Sequence, residues 1–179
     1  IVQGSDGNDN IQMIAGGVSA SSKINGGADN DSLTFNKVTL LSGTTVNGNK
    51  GADEIKVLAG AVMDVTTIHG GSGNDTIDLV DTRTTISGDK GEDTLVSGTA
   101  AKVSVSGGEG DDKVTGEAAA GNAQTVNGGT GLDTVTLGGA GNTTVMQGRL
   151  DSTAATAISG NYDGGTDLVD DQVVTFGNN

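Results

Sequence analysis

Aliphatic residues bracket a short glycine-rich stretch seven times along the chain. Val2, Ile24, Val46, Ile68, Ile86, Val105 and Val126 each stand two residues ahead of a glycine. Ile11, Leu33, Ile55, Ile77, Leu95, Val114 and Val135 each stand two residues behind an aspartate. A polar residue separates each aliphatic position from the six-residue loop between them. Apolar–polar alternation on both sides of a loop predicts strand–turn–strand, with side chains pointing alternately inward and outward. Inward positions often continue in pairs after the loop: Ile11 and Met13, Leu33 and Phe35, Ile55 and Val57, Ile77 and Leu79, Val135 and Leu137. A second turn follows, for example Leu58 to Asp64 or Val80 to Arg83, then a return strand such as Thr84 to Ile86. One repeat therefore reads as one coil of loop, strand, opposite turn and strand. Coils of this kind stack about 4.8 Å apart through parallel-sheet hydrogen bonds, and no helix is expected.

The loops end on Asp9, Asp31, Asp53, Asp75, Asp93, Asp112 and Asp133, with successive gaps of 22, 22, 22, 18, 19 and 21 residues. Self-similarity at this period marks a stacked solenoid. The opposite turns vary in length. One of them, Gly138 to Val145, repeats the loop grammar with Thr143 where aspartate would stand, ten residues after Asp133. Ligating residues are thus expected chiefly along one edge. From about Gln147 the register degrades, so residues 1–147 are expected to form the regular coils. Residues 148–179 would be an irregular terminal coil or cap that shields the open edge.

Composition narrows the picture. The 179 residues include three aromatics (Phe35, Tyr162 and Phe176), 32 glycines, no proline and no cysteine. With so few large side chains the core must be thin, built from layers of Ile, Val, Leu and Ala. Glycine far exceeds its usual share of about 7%. The regular aliphatic positions flanking each cluster argue against a disordered linker. No apolar run approaches the roughly 18 residues of a membrane span. The chain opens on Ile1 inside a repeat, which reads as a fragment, a processed product or a section of a longer array.

Nine basic residues stand against 23 acidic ones, 19 of them aspartate, for a net charge of −14. Such a balance excludes nucleic acid as a natural partner, because phosphate neutralisation needs clustered Lys and Arg. Aspartate in glycine loops points to hard cations with oxygen ligands. A calcium ion takes 6–8 oxygens, more than one short loop supplies, so two adjacent loops would share each ion. Seven loops leave six gaps, and six divalent ions would offset most of the charge. Unit charges about 4.8 Å apart repel by ~1 kcal/mol in water and ~3.5 kcal/mol at an effective dielectric of 20. Without cations the stack should loosen, so ion binding becomes folding energy.

These units resemble the GGxGxDxUx nonapeptides of the RTX, or hemolysin-type calcium-binding, family. Gly70 to Ile77, Gly107 to Val114 and Gly128 to Val135 match closely. Gly4, Gly48 and Gly88 begin copies with Ser5, Asn49 or Asp89 as the second residue, and Gly26 begins one with Asp29 in place of the later glycine. The resemblance spans about residues 2–145. It implies a parallel β-roll that binds calcium between adjacent loops, exported by type I secretion and folded outside the cell. It also implies Asp9, Asp31, Asp53, Asp75, Asp93, Asp112 and Asp133 as ligand carboxylates. Backbone carbonyls of the loops starting at Gly4, Gly26, Gly48, Gly70, Gly88, Gly107 and Gly128 would complete the shells. RTX arrays usually place a motif every half-turn, whereas here one edge is nearly bare.

His69, the sole histidine, falls where Gln3, Asn25, Asn47, Ser87, Ser106 and Asn127 fall in sister repeats, so it reads as an outward polar step rather than a catalytic base. The additional loop acids Asp6, Asp29, Asp89, Glu92, Glu109 and Asp111 are either solvated charge or further contacts to metal. No acid stands apart from its repeat equivalents, and an enzyme is not expected. The expectation is an all-β, right-handed parallel β-roll of about eight coils of 18–22 residues, holding about six calcium ions. Its role would be structural, in an extracellular surface layer, filament or adhesin, with end-to-end contacts to copies of itself or to neighbouring repeats. The alternatives are a secretion and folding module of an exported toxin or hydrolase, or a virion fibre or decoration protein.

Overall fold

The computed structural model describes residues 1–80, 83–99, 103–118, 122–139, 142–146 and 157–160. They form parallel strands, with no helix among them. Strands that lead into a glycine loop are β1 (Val2–Gln3), β3 (Lys23–Gly27), β5 (Thr45–Lys50), β7 (Val62–Ser72), β9 (Arg83–Lys90), β11 (Val103–Glu109) and β13 (Ala123–Thr130), followed in the same ladder by β15 (Asn142–Met146). Strands that leave one are β2 (Asn10–Val18), β4 (Ser32–Leu40), β6 (Glu54–Val57), β8 (Thr76–Leu79), β10 (Thr94–Val96), β12 (Lys113–Ala118) and β14 (Thr134–Gly139), continued by β16 (Ala157–Gly160). Each strand pairs with its equivalent one coil away, as in Ile24↔Val46, Val46↔Ile68 and Ile68↔Ile86. The partner ladder keeps the same register, as in Leu33↔Ile55, Ile55↔Ile77 and Leu95↔Val114.

The winding completes about six turns, a minor difference from the eight coils expected. At the ends, β1 is a strand of two residues and β16 is the sole described strand after Met146. The proposed cap at 148–179 lies outside the described residues except for β16, which extends the leaving ladder by pairing with β14.

Two aliphatic columns fill the interior, one of Ile24, Val46, Ile68, Ile86, Val105 and Val126, the other of Leu33, Ile55, Ile77, Leu95, Val114 and Val135. All are 1% exposed or less. Coil length decides what else fits. In the first coils β2 and β4 turn a corner at Ala15 (φ 64°) and Lys37 (φ 53°), and a further corner follows at Ser21 (φ 57°) and Gly43 (φ 79°). These corners add a short third side, where Thr39↔Val62 and Leu40↔Met63 pair β4 with β7. Phe35, Val38, Leu40 and Met63 pack the wider section. In the 18-residue coil only three residues separate the end of β8 at Leu79 from the start of β9 at Arg83. Further along, a buried polar group joins the interior: Ser97 Oγ donates to Gln124 Oε1 (2.9 Å), and Gln124 Nε2 donates to the Gly98 carbonyl (2.7 Å).

The glycine loops all lie on one edge, between the two ladders. Gly138 to Val145 joins β14 to β15 on the opposite edge, as the half-coil spacing predicts, with residues 140 and 141 outside the described set.

Candidate metal centre

Strand pairing on both sides of each loop forces the seven terminal aspartates into a single file. From Asp31 to Asp133 their residues are 3% exposed or less, whereas Asp9, in the first coil, is half-buried. From Asp31 to Asp133 each carboxylate has two separate tasks. Its Oδ1 accepts the backbone N–H of the aspartate one coil earlier. Asp9 donates to Asp31, Asp31 to Asp53 and Asp53 to Asp75 at 2.8 Å each, Asp75 to Asp93 at 2.7 Å, Asp93 to Asp112 at 2.8 Å and Asp112 to Asp133 at 3.0 Å. Its Oδ2 turns back into its own loop. In Asp31, Asp53, Asp75, Asp93 and Asp112 that oxygen is buried and has no hydrogen-bond partner. In the first loop Ser5 N–H donates to Asp9 Oδ2 at 2.8 Å.

A buried oxygen without a partner costs several kcal/mol if it carries charge, and the loop geometry shows what it faces. A Cβ built on Gly26, Gly48, Gly70, Gly88 or Gly107 would fall within 3.0 Å of that loop's own Oδ2 and of the carbonyl oxygen of the next loop's first glycine. Two oxygens from successive coils thus converge on a point where a side chain cannot stand. Hard cations favour such oxygen donors. Among the described residues no three His, Cys, Asp or Glu side chains converge on one point. Each site can therefore take one carboxylate per loop and must draw its remaining donors from the main chain.

Burial is the first cause of a raised carboxyl pKa at Asp31, Asp53, Asp75, Asp93, Asp112 and Asp133, and the backbone N–H at Oδ1 opposes it. Like charges in the file add to burial. Asp93, Asp53 and Asp89 help to push Asp75 to about 7, and Asp93, Asp133 and Asp111 do the same for Asp112, also to about 7. The row is short of positive charge in a way that either a proton or a metal ion can relieve.

Three substituted loop positions keep the glycine backbone conformation. Asn49 (φ 81°) and Asp89 (φ 74°) take the left-handed conformation where other loops have Gly71 or Gly108, and Asp29 (φ 72°) takes it where others have Gly51 or Gly73. Asn and Asp tolerate that region better than other side chains. At Gly91 (φ 131°) the demand is stricter, because a Cβ would meet the Gly73 carbonyl of the preceding coil well inside contact distance. Gly91→Ala is expected to cost at least the ~1–3 kcal/mol of a forced backbone conformation. It should also push the neighbouring loops apart, seen as a rise in the calcium concentration at the midpoint of a strand-signal titration.

The additional loop acids divide. Asp29 Oδ2 accepts Gly7 N–H (3.0 Å) and Asp111 Oδ1 accepts Leu132 N–H (2.8 Å), so both tie neighbouring coils. Asn8, Asn30 and Asn74, at the loop position of Asp111, likewise accept from the following coil, from the N–H groups of Asn30, Ala52 and Glu92. Glu109 faces Lys90 at 3.5 Å, a surface pair of small energetic value. His69 lies in the outward column with Asn47 and Ser87, as its repeat position implies. Its Nδ1 is 3.0 Å from Asp89 Oδ2, and Ser87 Oγ donates to Asp89 Oδ1 at 2.5 Å.

The family model described as the RTX calcium-binding nonapeptide repeat matches with four copies, over residues 66–79 and 96–121. The chain carries RTX calcium-binding repeats. No curated protein and no solved structure matches it. The matched residues include the RTX loops 70–75 and 107–112. Loops 26–31, 48–53 and 88–93 fall outside them, yet share the buried carboxylate, the partnerless Oδ2 and the glycine cradle. RTX repeats bind calcium, and the orphaned oxygens and cradles fit that ion. Among the described residues, no helix is long and apolar enough to cross a membrane.

Proposed function

We propose that the chain is a calcium-dependent structural rod whose coils are joined by ions shared between successive loops. Asp31, Asp53, Asp75, Asp93 and Asp112 are the carboxylate ligands of the inner gaps. The carbonyls of Gly48, Gly70, Gly88, Gly107 and Gly128 supply the donors from the following coil, and Asp9, Asp133, Gly4 and Gly26 extend the row at its ends, for about six ions in all. One observation carries this reading: the same buried, partnerless Oδ2 recurs loop after loop, with no member set apart as a reaction centre. Calcium in that row converts mutual repulsion into cross-linking, so the ion acts as structural mortar rather than as a catalyst.

A rod of this kind suits an extracellular surface layer, filament or adhesin, where calcium is plentiful and type I secretion delivers the unfolded chain. Weak extracellular calcium sites bind on the order of 0.1–1 mM, which would keep the chain unfolded inside and folded outside. End-to-end stacking is the assembly mode we expect, with 148–179 as the irregular terminal coil. Sedimentation and electron microscopy in millimolar calcium and in chelator test it. Calcium-dependent rods or sheets are expected, and monomers at every calcium concentration would rule the assembly out.

A further inference from the structure

Three of the loops are entered through the same dipeptide: Asn25-Gly26, Asn47-Gly48 and Asn127-Gly128. Asn-Gly is the dipeptide most prone to deamidation, because glycine leaves the following nitrogen unshielded. That nitrogen, on losing its proton, attacks the side-chain Cγ. The new N–C bond forms as the Cγ–N bond of the carboxamide breaks, ammonia leaves, and a succinimide results. Water then opens the ring at either carbonyl, giving aspartate or isoaspartate. Ring closure needs the glycine nitrogen swung round onto the side-chain carbon. An extended strand, with ψ held near about 115–135°, keeps it away.

The fold holds all three asparagines in that protected state. Asn25 lies in β3, Asn47 in β5 and Asn127 in β13. Asn25 pairs with Asn47, and Asn127 with Met146. Asn47 Oδ1 accepts Asn49 N–H at 3.0 Å and Asn127 Oδ1 accepts Gly129 N–H at 3.2 Å, so these two side chains are turned toward the residue beyond the glycine. Gly26, Gly48 and Gly128 are the first glycines of cradles facing Asp31, Asp53 and Asp133.

We infer that Asn25, Asn47 and Asn127 are calcium-gated deamidation sites, protected while the coils are stacked and chemically labile once calcium is withdrawn. This rests on the reading of the row as calcium-held. The consequence is directional. Isoaspartate adds a methylene to the main chain immediately before the cradle glycine, displacing the carbonyl that serves the neighbouring coil. A chain left without calcium would then lose the ability to refold when the ion returns, and the three dipeptides would limit its working life.

The full chain, incubated calcium-loaded and calcium-free at mildly alkaline pH, tests this by peptide mass analysis with circular dichroism in parallel. Deamidation at the three sites is expected to run at least about tenfold faster without calcium, as local opening governs access. Asn36-Lys37 and Asn74-Asp75 serve as slow internal comparators. The triple variant Asn25→Gln, Asn47→Gln, Asn127→Gln should keep its calcium-driven refolding after the same incubation. A calcium-free chain that loses its strand signal yet deamidates at the loaded rate overturns the inference alone. One that keeps its strand signal overturns the calcium-held reading, and the gating with it.

Discussion

Withdrawing calcium above neutral pH is expected to abolish the far-UV strand signal of the whole chain, and restoring it to bring the signal back. The reason is the file of carboxylates. Asp31 to Asp133 are buried, and in five of them Oδ2 has no protein partner. Adjacent charges one coil apart repel by ~3.5 kcal/mol at an effective dielectric of 20, and each ion-less gap adds the desolvation of its own carboxylate. A domain of this size has a net stability of only about 5–15 kcal/mol. Two or three uncompensated gaps therefore exceed what the thin aliphatic core can offset. Because every coil contacts only its neighbours, loss should spread along the stack rather than stay local. Circular dichroism through a chelation and re-addition cycle reads the effect directly. Strand content unchanged in chelator would show that the core holds the coils unaided.

Acidification of the metal-free chain should do the opposite of ordinary acid denaturation and restore some of the fold. The folded-state pKa values of the six buried aspartates are raised, those of Asp75 and Asp112 to about 7 against 3.8 for the free group. A raised carboxyl pKa means that the fold prefers the neutral form. For Asp75 and Asp112 that contribution is complete below pH ~3.8 and disappears as pH rises through about 7. Metal-free protein should thus be most ordered in mild acid and lose order toward neutrality. Calcium-loaded protein should show the reverse trend, since protons and calcium compete for the same oxygens and ion uptake near neutral pH releases protons. A metal-free chain equally unfolded across mild acid and neutral pH would show that protonation of these carboxyl groups does not drive the fold.

Much of the architecture was legible in the residues. Val46, Asn47 and Gly48, followed five residues on by Asp53, state a strand, an outward step, a loop start and a loop end, and the same grammar seven times over leaves parallel coils as the solution. The rim position of Asp9 to Asp133 follows from the same count, as does the outward placement of His69. Asn49, Asp89 and Asp29, which read as departures from the glycine pattern, are conservative in backbone terms because all three take the left-handed region.

Other features depend on distance between residues 18–22 apart, and no local pattern encodes that. The split of each carboxylate, Oδ1 to the preceding coil's N–H and Oδ2 toward the cradle, exists only once two coils are stacked. The wide three-sided section around Phe35 and Met63 is set by corners at Ala15, Lys37 and Ser21, whose residue types would not suggest positive φ. The contact between Ser97 and Gln124, 27 residues apart, is likewise a product of packing. Periodicity is written into the chain because each coil must place the same atoms against the next. Burial, charge coupling and the orientation of individual oxygens belong to the stack, because they are properties of the space between coils.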